Sequence, residues 1–272
     1  MTDLIIRKAE SPADYLACQR AQRAAWGLDD ESYIVPVATM VGAQHHGGLV
    51  LGAFRPDGEA VGLSFAFLGR TEGRLCLYSQ LTGVVPELQA QGLGYQLKTA
   101  QREFARSEGI PCVAWAFDPL QAGNARFNLD KLGATAGRYV VDMYGPRTDA
   151  LNCGTPTDRL IAVWETFETP RATVDPDEAR AWPALLRGAE RIPTYAGLPE
   201  GASRLTLEIP ADLKTLRAED PERAGRWGMA VRAAFLAAFD GGFRAIGFVR
   251  RDTQEGRRTD YVLDSASAPP DS

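Results

Sequence analysis

The chain has little with which to hold a metal or to run thiol chemistry. Its 272 residues include two histidines, His45 and His46, and four cysteines, Cys18, Cys76, Cys112 and Cys153. Adjacent histidines diverge, no third ligand stands near them and no C-x-x-C spacing occurs, so a zinc site and a redox dithiol are both disfavoured. The cysteines are expected to be reduced core thiols. A Gly-x-Ser-x-Gly nucleophile elbow and a P-loop Gly-Lys-Ser/Thr are also missing, which argues against covalent acyl-enzyme and phosphoryl-transfer chemistry. No run of about 18 apolar residues exists, and the opening Met1-Thr2-Asp3-Leu4-Ile5-Ile6-Arg7 lacks a basic region followed by a long apolar one. The expectation is a cytoplasmic protein without a membrane partner. Thirty Lys and Arg against 35 Asp and Glu give a net charge of −5, with no clustered basic stripe, which disfavours nucleic acid as a partner.

What is present is an ordinary globular composition, 45% hydrophobic, enough to bury a core in one large or two smaller domains. Residues 3 to 9 read as a strand, and Ser11-Pro12 caps a helix reaching about Trp26. Val35 to Gln44 reads as a second helix stopping before Gly47-Gly48. Gly48 to Phe54 and Ala60 to Leu68 are strands joined by the turn Arg55-Pro56-Asp57-Gly58, and Glu72-Gly73 turns the chain into a third strand, Arg74 to Val85. Leu93, Leu97, Ala100 and Phe104 form one apolar helical stripe. Cys112 to Phe117 reads as a strand, Asn124 to Leu132 as a short helix, and residues 135 to 144 and 158 to 167 as two more strands. The order predicts an α/β architecture with a mixed sheet. Residues 168 to 202 are interrupted by five prolines and read as a connecting segment with one short helix. Beyond it come a strand at Arg204 to Ile209, a helix at Pro221 to Phe239 and a terminal hairpin from Ala245 to Val249 and Tyr261 to Leu263.

The segment that carries chemistry is Val84-Val85-Pro86-Glu87-Leu88-Gln89-Ala90-Gln91-Gly92-Leu93-Gly94-Tyr95. A strand passes through a tight glycine turn into a helix, so first-turn N–H groups and the helix dipole form an anion site that needs no lysine. A lone Gly-x-Gly is as often a plain turn. A dinucleotide fingerprint is disfavoured, because Leu97 stands where the third glycine belongs and the turn follows a meander.

The segment resembles motif A of the GNAT acyltransferases, through Gln89, Gly92 and Gly94 and the preceding Val-x-Pro. Asn124-Ala125-Arg126-Phe127-Asn128-Leu129-Asp130-Lys131-Leu132-Gly133 resembles motif B of the same family. The chain is also similar as a whole, through Phe117-Asp118-Pro119-Leu120 and Phe127-Asn128-Leu129-Asp130-Lys131-Leu132-Gly133, to a group of predicted bacterial acetyltransferases with a C-terminal extension. The resemblance implies the GNAT fold over residues 1–167, with 168–202 connecting to a small α/β extension at 203–272. It implies acetyl-CoA or succinyl-CoA as cosubstrate, with no metal. The pantetheine arm would pair with backbone groups of Val84 and Val85 and the thioester would lie near Thr82 to Val84. Gln89, Ala90, Gln91, Gly92, Leu93, Gly94 and Tyr95 would hold the pyrophosphate. Asn124 would reach the pantetheine, and Lys131 either the 3′-phosphate or only solvent.

The reaction implied is attack of a small-molecule amine, such as an amino acid, on the thioester carbonyl. The motif B tyrosine that protonates the leaving thiolate in many family members is replaced here by Leu129. Candidate groups for proton transfer are therefore Tyr139 or Tyr144, and Asp118, whose position before Pro119 equally suits a turn, while Asn128 would donate a hydrogen bond to the cofactor or acceptor. Ser79 or Gln80 would line the acceptor side or order a water through which the amine is deprotonated, and strand alternation lets only one of them face the pocket. Arg70, Arg74, Arg138 or Arg147 could pair a carboxylate of the donor or acceptor. His45 and His46 are expected to be surface or capping residues. A second reading is an acyl-CoA-binding sensor or assembly module without turnover. The extension would serve either reading as a lid or as the surface of a homodimer.

Overall fold

The computed structural model describes residues 4–28, 30–145, 156–169, 173–188, 194–195, 197–254 and 256–265, and groups them into two compact units. The first comprises Met1–Trp115 and Glu165–Glu168, and the second Ala116–Trp164 and Thr169–Ser272. The division expected at 167 and 202 rests on the resemblance and on the prolines between them, and these units are bounded elsewhere. Both units are α/β with mixed sheets, as the element order predicts.

In the first unit the strands β1 (Ile5–Lys8), β2 (Leu49–Phe54), β3 (Ala60–Thr71), β4 (Arg74–Val84) and β5 (from Cys112) lie side by side in that order. The first four pair antiparallel, and β5 joins β4 in parallel. Helix α1 (Pro12–Trp26) and helix α2 (Val37–His45) cover one face, where Tyr15, Cys18, Ala21 and Met40 bury against Val50, Phe54, Leu63 and Phe65. Helix α3 (Leu93–Ser107) covers the other. Two glycines set how closely the layers approach. A Cβ at Gly83 would stand 2.4 Å from Trp26 of α1, and one at Gly62 would stand 3.2 Å from Leu97 of α3.

The start of α1 is held by a reciprocal cap. The Asp14 N–H donates to Ser11 Oγ at 3.2 Å, and Asp14 Oδ2 accepts the N–H groups of Ser11 and Glu10 at 3.2 and 3.0 Å. Arg7 on β1 donates to both Asp14 oxygens, at 2.8 and 2.9 Å, which ties strand to helix.

In the second unit β6 (Thr135–Val140), β7 (Arg159–Glu165, to Trp164 in this unit), β8 (Ala184–Arg187), β9 (Thr194–Tyr195), β10 (Arg204–Ile209), β11 (Arg244–Thr253) and β12 (Gly256–Asp264) run in the order β7-β6-β11-β12-β10-β8-β9. The terminal hairpin expected at 245–263 is therefore longer than its apolar residues indicated. Helix α4 (Ala122–Ala125) runs into a π-helical turn over Arg126–Lys131, so the second motif is not one regular helix. The segment 168–202 holds the short helix α5 (Pro176–Ala179) and also β8, which pairs in parallel with β10. Helix α6 (Leu213–Glu219) was not read from the sequence, although Asp212 caps it by accepting the Thr215 N–H at 3.0 Å. Helix α7 (Pro221–Asp240) buries Trp227, Val231, Ala234 and Phe235, and the Phe235 ring meets Tyr261 edge-on at 5.0 Å.

The Arg7 hydrogen bonds, more than the opposing effect of burial, hold the Asp14 carboxyl well below the usual carboxylate range, with the two backbone N–H groups adding to the effect. A depressed folded-state pKa contributes stability above the unfolded value and loses it as pH falls through the folded one. Asp14→Asn is expected to lower stability at neutral pH by about 1 kcal/mol. In urea unfolding, the gap between the two proteins should close as pH is lowered through the acid range; a gap independent of pH would contradict this assignment.

Candidate functional site

The site begins where β4 and β5 separate. They pair at Leu77↔Val113 and Tyr78↔Ala114 and, among the described residues, no further, while β4 continues to Val84 against β3 alone. The Val85 N–H donates to Val61 O at 3.0 Å, so alternation makes Gly83↔Leu63 and Leu81↔Phe65 the hydrogen-bonded pairs. The backbone groups of Thr82 and Val84 therefore point away from β3, to the side that β5 has left. Close contact between side chains in the intervening pair agrees with this, since Ser64 Oγ and Thr82 Oγ1 are 2.9 Å apart. The fork presents a strand edge to an extended ligand with its own amide groups, as a pantetheine arm has.

A β-bulge shapes the same stretch. The register runs Phe65↔Leu81 and then Ala66↔Ser79, leaving Gln80 without a partner residue. The bulge turns Ser79 onto the face that carries Thr82, which regular alternation over three residues would forbid. Ser79 is thereby buried against α3, and Gln80 is exposed.

After Val84 the chain makes a compact turn. Val84 O accepts from Gln89 Nε2 at 3.0 Å, Leu88 N–H donates to Val85 O at 3.0 Å, and Gln91 Nε2 donates to Glu87 O at 3.1 Å. The Gln89 and Gln91 side chains thus brace the turn. Ala90 and Gly92 both adopt left-handed backbone angles, with φ of +61° and +84°. Such a turn gathers successive N–H groups, and Gly92 caps α3 without a side chain, so the first-turn N–H groups at Leu93, Gly94 and Tyr95 are left for a ligand or water. A Cβ at Gly92 or Gly94 would meet nothing within 4 Å. The space over the helix end is open, and the helix is 15 residues long, so its dipole favours an anion there. Leu93 turns inward to the core, leaving only its backbone to the site, while Tyr95 is exposed.

Beneath the fork lies a polar network that the apolar stripe of α3 concealed. The buried face of α3 carries Leu93, Leu97 and Ala105, but also Lys98 and Gln101. Lys98 Nζ donates to Ser79 Oγ at 2.8 Å and lies 3.8 Å from the centroid of the Trp115 ring. Gln101 Nε2 donates to Ser64 Oγ at 3.0 Å, which continues the chain to Thr82. Burial pushes the Lys98 ammonium down to about 7.

The remaining expected residues belong to the second unit. Asp118 Oδ1 accepts the Leu120 N–H at 2.8 Å, the bond of a turn-forming aspartate. Asn124 and Lys131 are exposed, whereas Asn128 and Leu129 are buried. Tyr139 donates its hydroxyl to Asp158 Oδ2 at 2.6 Å, and burial followed by that bond pushes its phenol far above the usual tyrosine range. Asp158 is also gripped by Arg232 through two bonds of 2.8 Å, so the cluster ties β6 to α7. Tyr144 is half exposed, with the Arg159 guanidinium over its ring.

Of the arginines considered for a carboxylate, Arg74 is engaged bidentately by Glu165 at 2.7 and 3.1 Å, Arg70 and Arg138 are exposed, and Arg147 lies outside the described residues. His45 and His46 are exposed at the end of α2. Cys18, Cys76 and Cys112 are buried free thiols, and Cys153 lies outside the described residues. Among the described residues no group of His, Cys, Asp or Glu could hold a metal ion, and no helix is long and apolar enough to cross a membrane.

No family model matches the chain, and no curated protein sequence does. Solved structures do resemble it. The chain is similar to the ribosomal-protein-S18-alanine N-acetyltransferase from Escherichia coli, with 17% identity, 64% of this chain and 100% of that one covered, and a TM-score of 0.47. It is similar to an acetyltransferase of the GNAT family from Staphylococcus aureus, with 9% identity, 60% and 99% covered, and a TM-score of 0.42. For an IAA acetyltransferase from Bacillus cereus the values are 16% identity, 60% and 99% covered, and a TM-score of 0.43.

Gly94→Asp separates folding from binding. Its side chain enters open space, and an acidic residue in a first helical turn is stabilising by about 0.3–1 kcal/mol. The variant is expected to unfold at or above the wild-type midpoint while its affinity for CoA, measured by calorimetry, falls at least about tenfold, the equivalent of 1.4 kcal/mol of charge repulsion. Unchanged affinity would remove the helix end from the site.

Proposed function

We propose that this chain is a GNAT-type, acyl-CoA-dependent N-acyltransferase that moves an acetyl or succinyl group to the amino group of a small metabolite such as an amino acid. The observation that carries the reading is the continuity of the fork with the helix end. The open edge of β4 at Thr82 and Val84 runs directly, through the left-handed residues Ala90 and Gly92, into the uncapped start of α3. An amide-bearing arm ending in a pyrophosphate matches that sequence of groups: strand-like pairing first, then an anion site.

In this reading Thr82 and Val84 align the pantetheine amides. The first-turn N–H groups of α3 hold the pyrophosphate, with Gln89 and Gln91 keeping the turn in shape. An edge N–H near Thr82 stabilises the oxyanion that develops as the amine attacks the thioester carbonyl. The sulfur leaves with the bonding electron pair, and no acyl-enzyme forms. Asn124, Asn128 and Lys131 are assigned to the cofactor side on the motif B resemblance, and Asp118 and Tyr144 stay as candidates beside the acceptor. The Tyr139 hydroxyl is committed to Asp158, and the Asp118 carboxylate to the Leu120 N–H. Cytoplasmic location and a homodimer complete the proposal.

A binding module without turnover is the second reading. It is favoured by the burial of Leu129 at the place of the family tyrosine and by the commitment of Tyr139 to Asp158.

Thiol release from acetyl-CoA and from succinyl-CoA, assayed against D- and L-amino acids and small amines, distinguishes the two. The enzyme reading predicts release with one donor that depends on the amine supplied and is lost in Gly92→Asp. CoA binding with no release across the panel would replace it with the binding module.

A further inference from the structure

Lys98 is a costly residue to bury, and its position says where it acts. It is fully enclosed, and a buried amine without a counter-ion is disfavoured in its charged form. An apolar side chain would fill the same volume without that cost. Among the described residues the groups that meet it are uncharged: Ser79 from β4, the Trp115 ring from β5, Gln101 from its own helix at 3.4 Å, and Ser64 of β3 one hydrogen bond further away. Arg102, the next charged residue on α3, is turned to the carbonyl groups of Glu165 and Glu168.

Its two contacts mark the fork itself. Ser79 is the first residue of β4 after the last pair, and Trp115 is the first residue of β5 after it, since that pair is Tyr78↔Ala114. The amine therefore sits at the apex where the strands part, below the edge to which the thioester is assigned. The Gln80 bulge is what brings the Ser79 hydroxyl to it.

We propose that Lys98, acting through Ser79, carries the proton of the acyl transfer, an inference that rests on the acyl-CoA reading. Lys98 waits as the uncharged amine, whose lone pair accepts from the Ser79 hydroxyl across the same 2.8 Å contact in place of donating to it. As the acceptor nitrogen bonds to the thioester carbon, its proton passes to Ser79 Oγ while the Ser79 proton passes to Lys98 Nζ. The carbon–sulfur bond breaks with its electron pair on sulfur, and the Lys98 ammonium returns one proton, again by way of Ser79, to the thiolate. The products are the amide and free CoA thiol, and Lys98 is uncharged once more. Ser79 is the residue that meets substrate, and Lys98 is a positioning residue that sets the proton inventory behind it. This supplies a base for the amine as well as the acid that the motif B position, Leu129, does not.

The test compares wild type, Lys98→Met and Ser79→Ala as full chains. Acetyl-CoA binding is measured by calorimetry, and thiol release with the amine panel is followed across the neutral and mildly alkaline range. Methionine fills the space of the lysine without a titrating group, and Ser79→Ala leaves Lys98 in place, so one variant decides if the other fails to fold. The expected result is acetyl-CoA affinity close to wild type in both variants, kcat lower by about 10²–10⁴-fold, and loss of the rise in rate that wild type shows as pH increases through neutrality. Wild-type kcat and pH profile in either folded variant would overturn the proton role and leave the acyl-CoA reading standing. Binding by wild type with no thiol release would also overturn it, while keeping the cofactor site. Failure of wild type to bind acetyl-CoA would overturn both.

Discussion

Backbone amide and carbonyl groups inside a sheet need partners, and a strand that loses its neighbour midway must find others. On β4 that loss occurs after Tyr78, where β5 turns aside, and the properties of the site follow from it. The groups of Thr82 and Val84 on the open side are presented in strand geometry, ready for an extended ligand. Val84 O is partly served by the Gln89 side chain, which couples the edge to the turn that follows. The fork and the uncapped start of α3 are thus one structural feature, read along the chain from 79 to 95.

Holding a half-partnered strand in place requires rigid support on both faces. Gly83 lets Trp26 of α1 press against one side, and Gly62 lets Leu97 of α3 press against the other. Side chains at either glycine would push a layer outward and move the edge. The hydrogen-bonded chain from Lys98 and Gln101 through Ser64 to Thr82 works in the same direction, because it fixes the edge from below with directional bonds. A polar network of this kind is costly unless satisfied, and here each member has a partner.

Much of this was legible in the sequence where the signal was local. The turns at Pro56-Asp57-Gly58 and Glu72-Gly73 set the meander, and Gly92 and Gly94 marked the turn into the start of α3. Elements bounded by clear punctuation, such as Cys112–Phe117 and Arg204–Ile209, have the limits their residues suggest. The network under the fork was not legible, because a stripe read from apolar residues passes over Lys98 and Gln101, and because a bulge leaves no mark in the alternation of side chains. Strand β8 was hidden by flanking prolines, as its pairing with β10 comes from residues distant in sequence. Tyr139 illustrates the limit for the site: its position on β6 was foreseen, but the hydroxyl's bond to Asp158 depends on Arg232 of α7, far along the chain.

The central claim is that one continuous run of backbone, from the open edge of β4 to the first turn of α3, receives an acyl-CoA. Backbone amide chemical shifts, followed by NMR while CoA is titrated into the full chain, test it most directly. The account predicts that the amides of Thr82, Val84 and Gly92 to Tyr95 shift together in one saturable process. Shifts confined to other parts of the chain, or at the helix end without the strand edge, would contradict it.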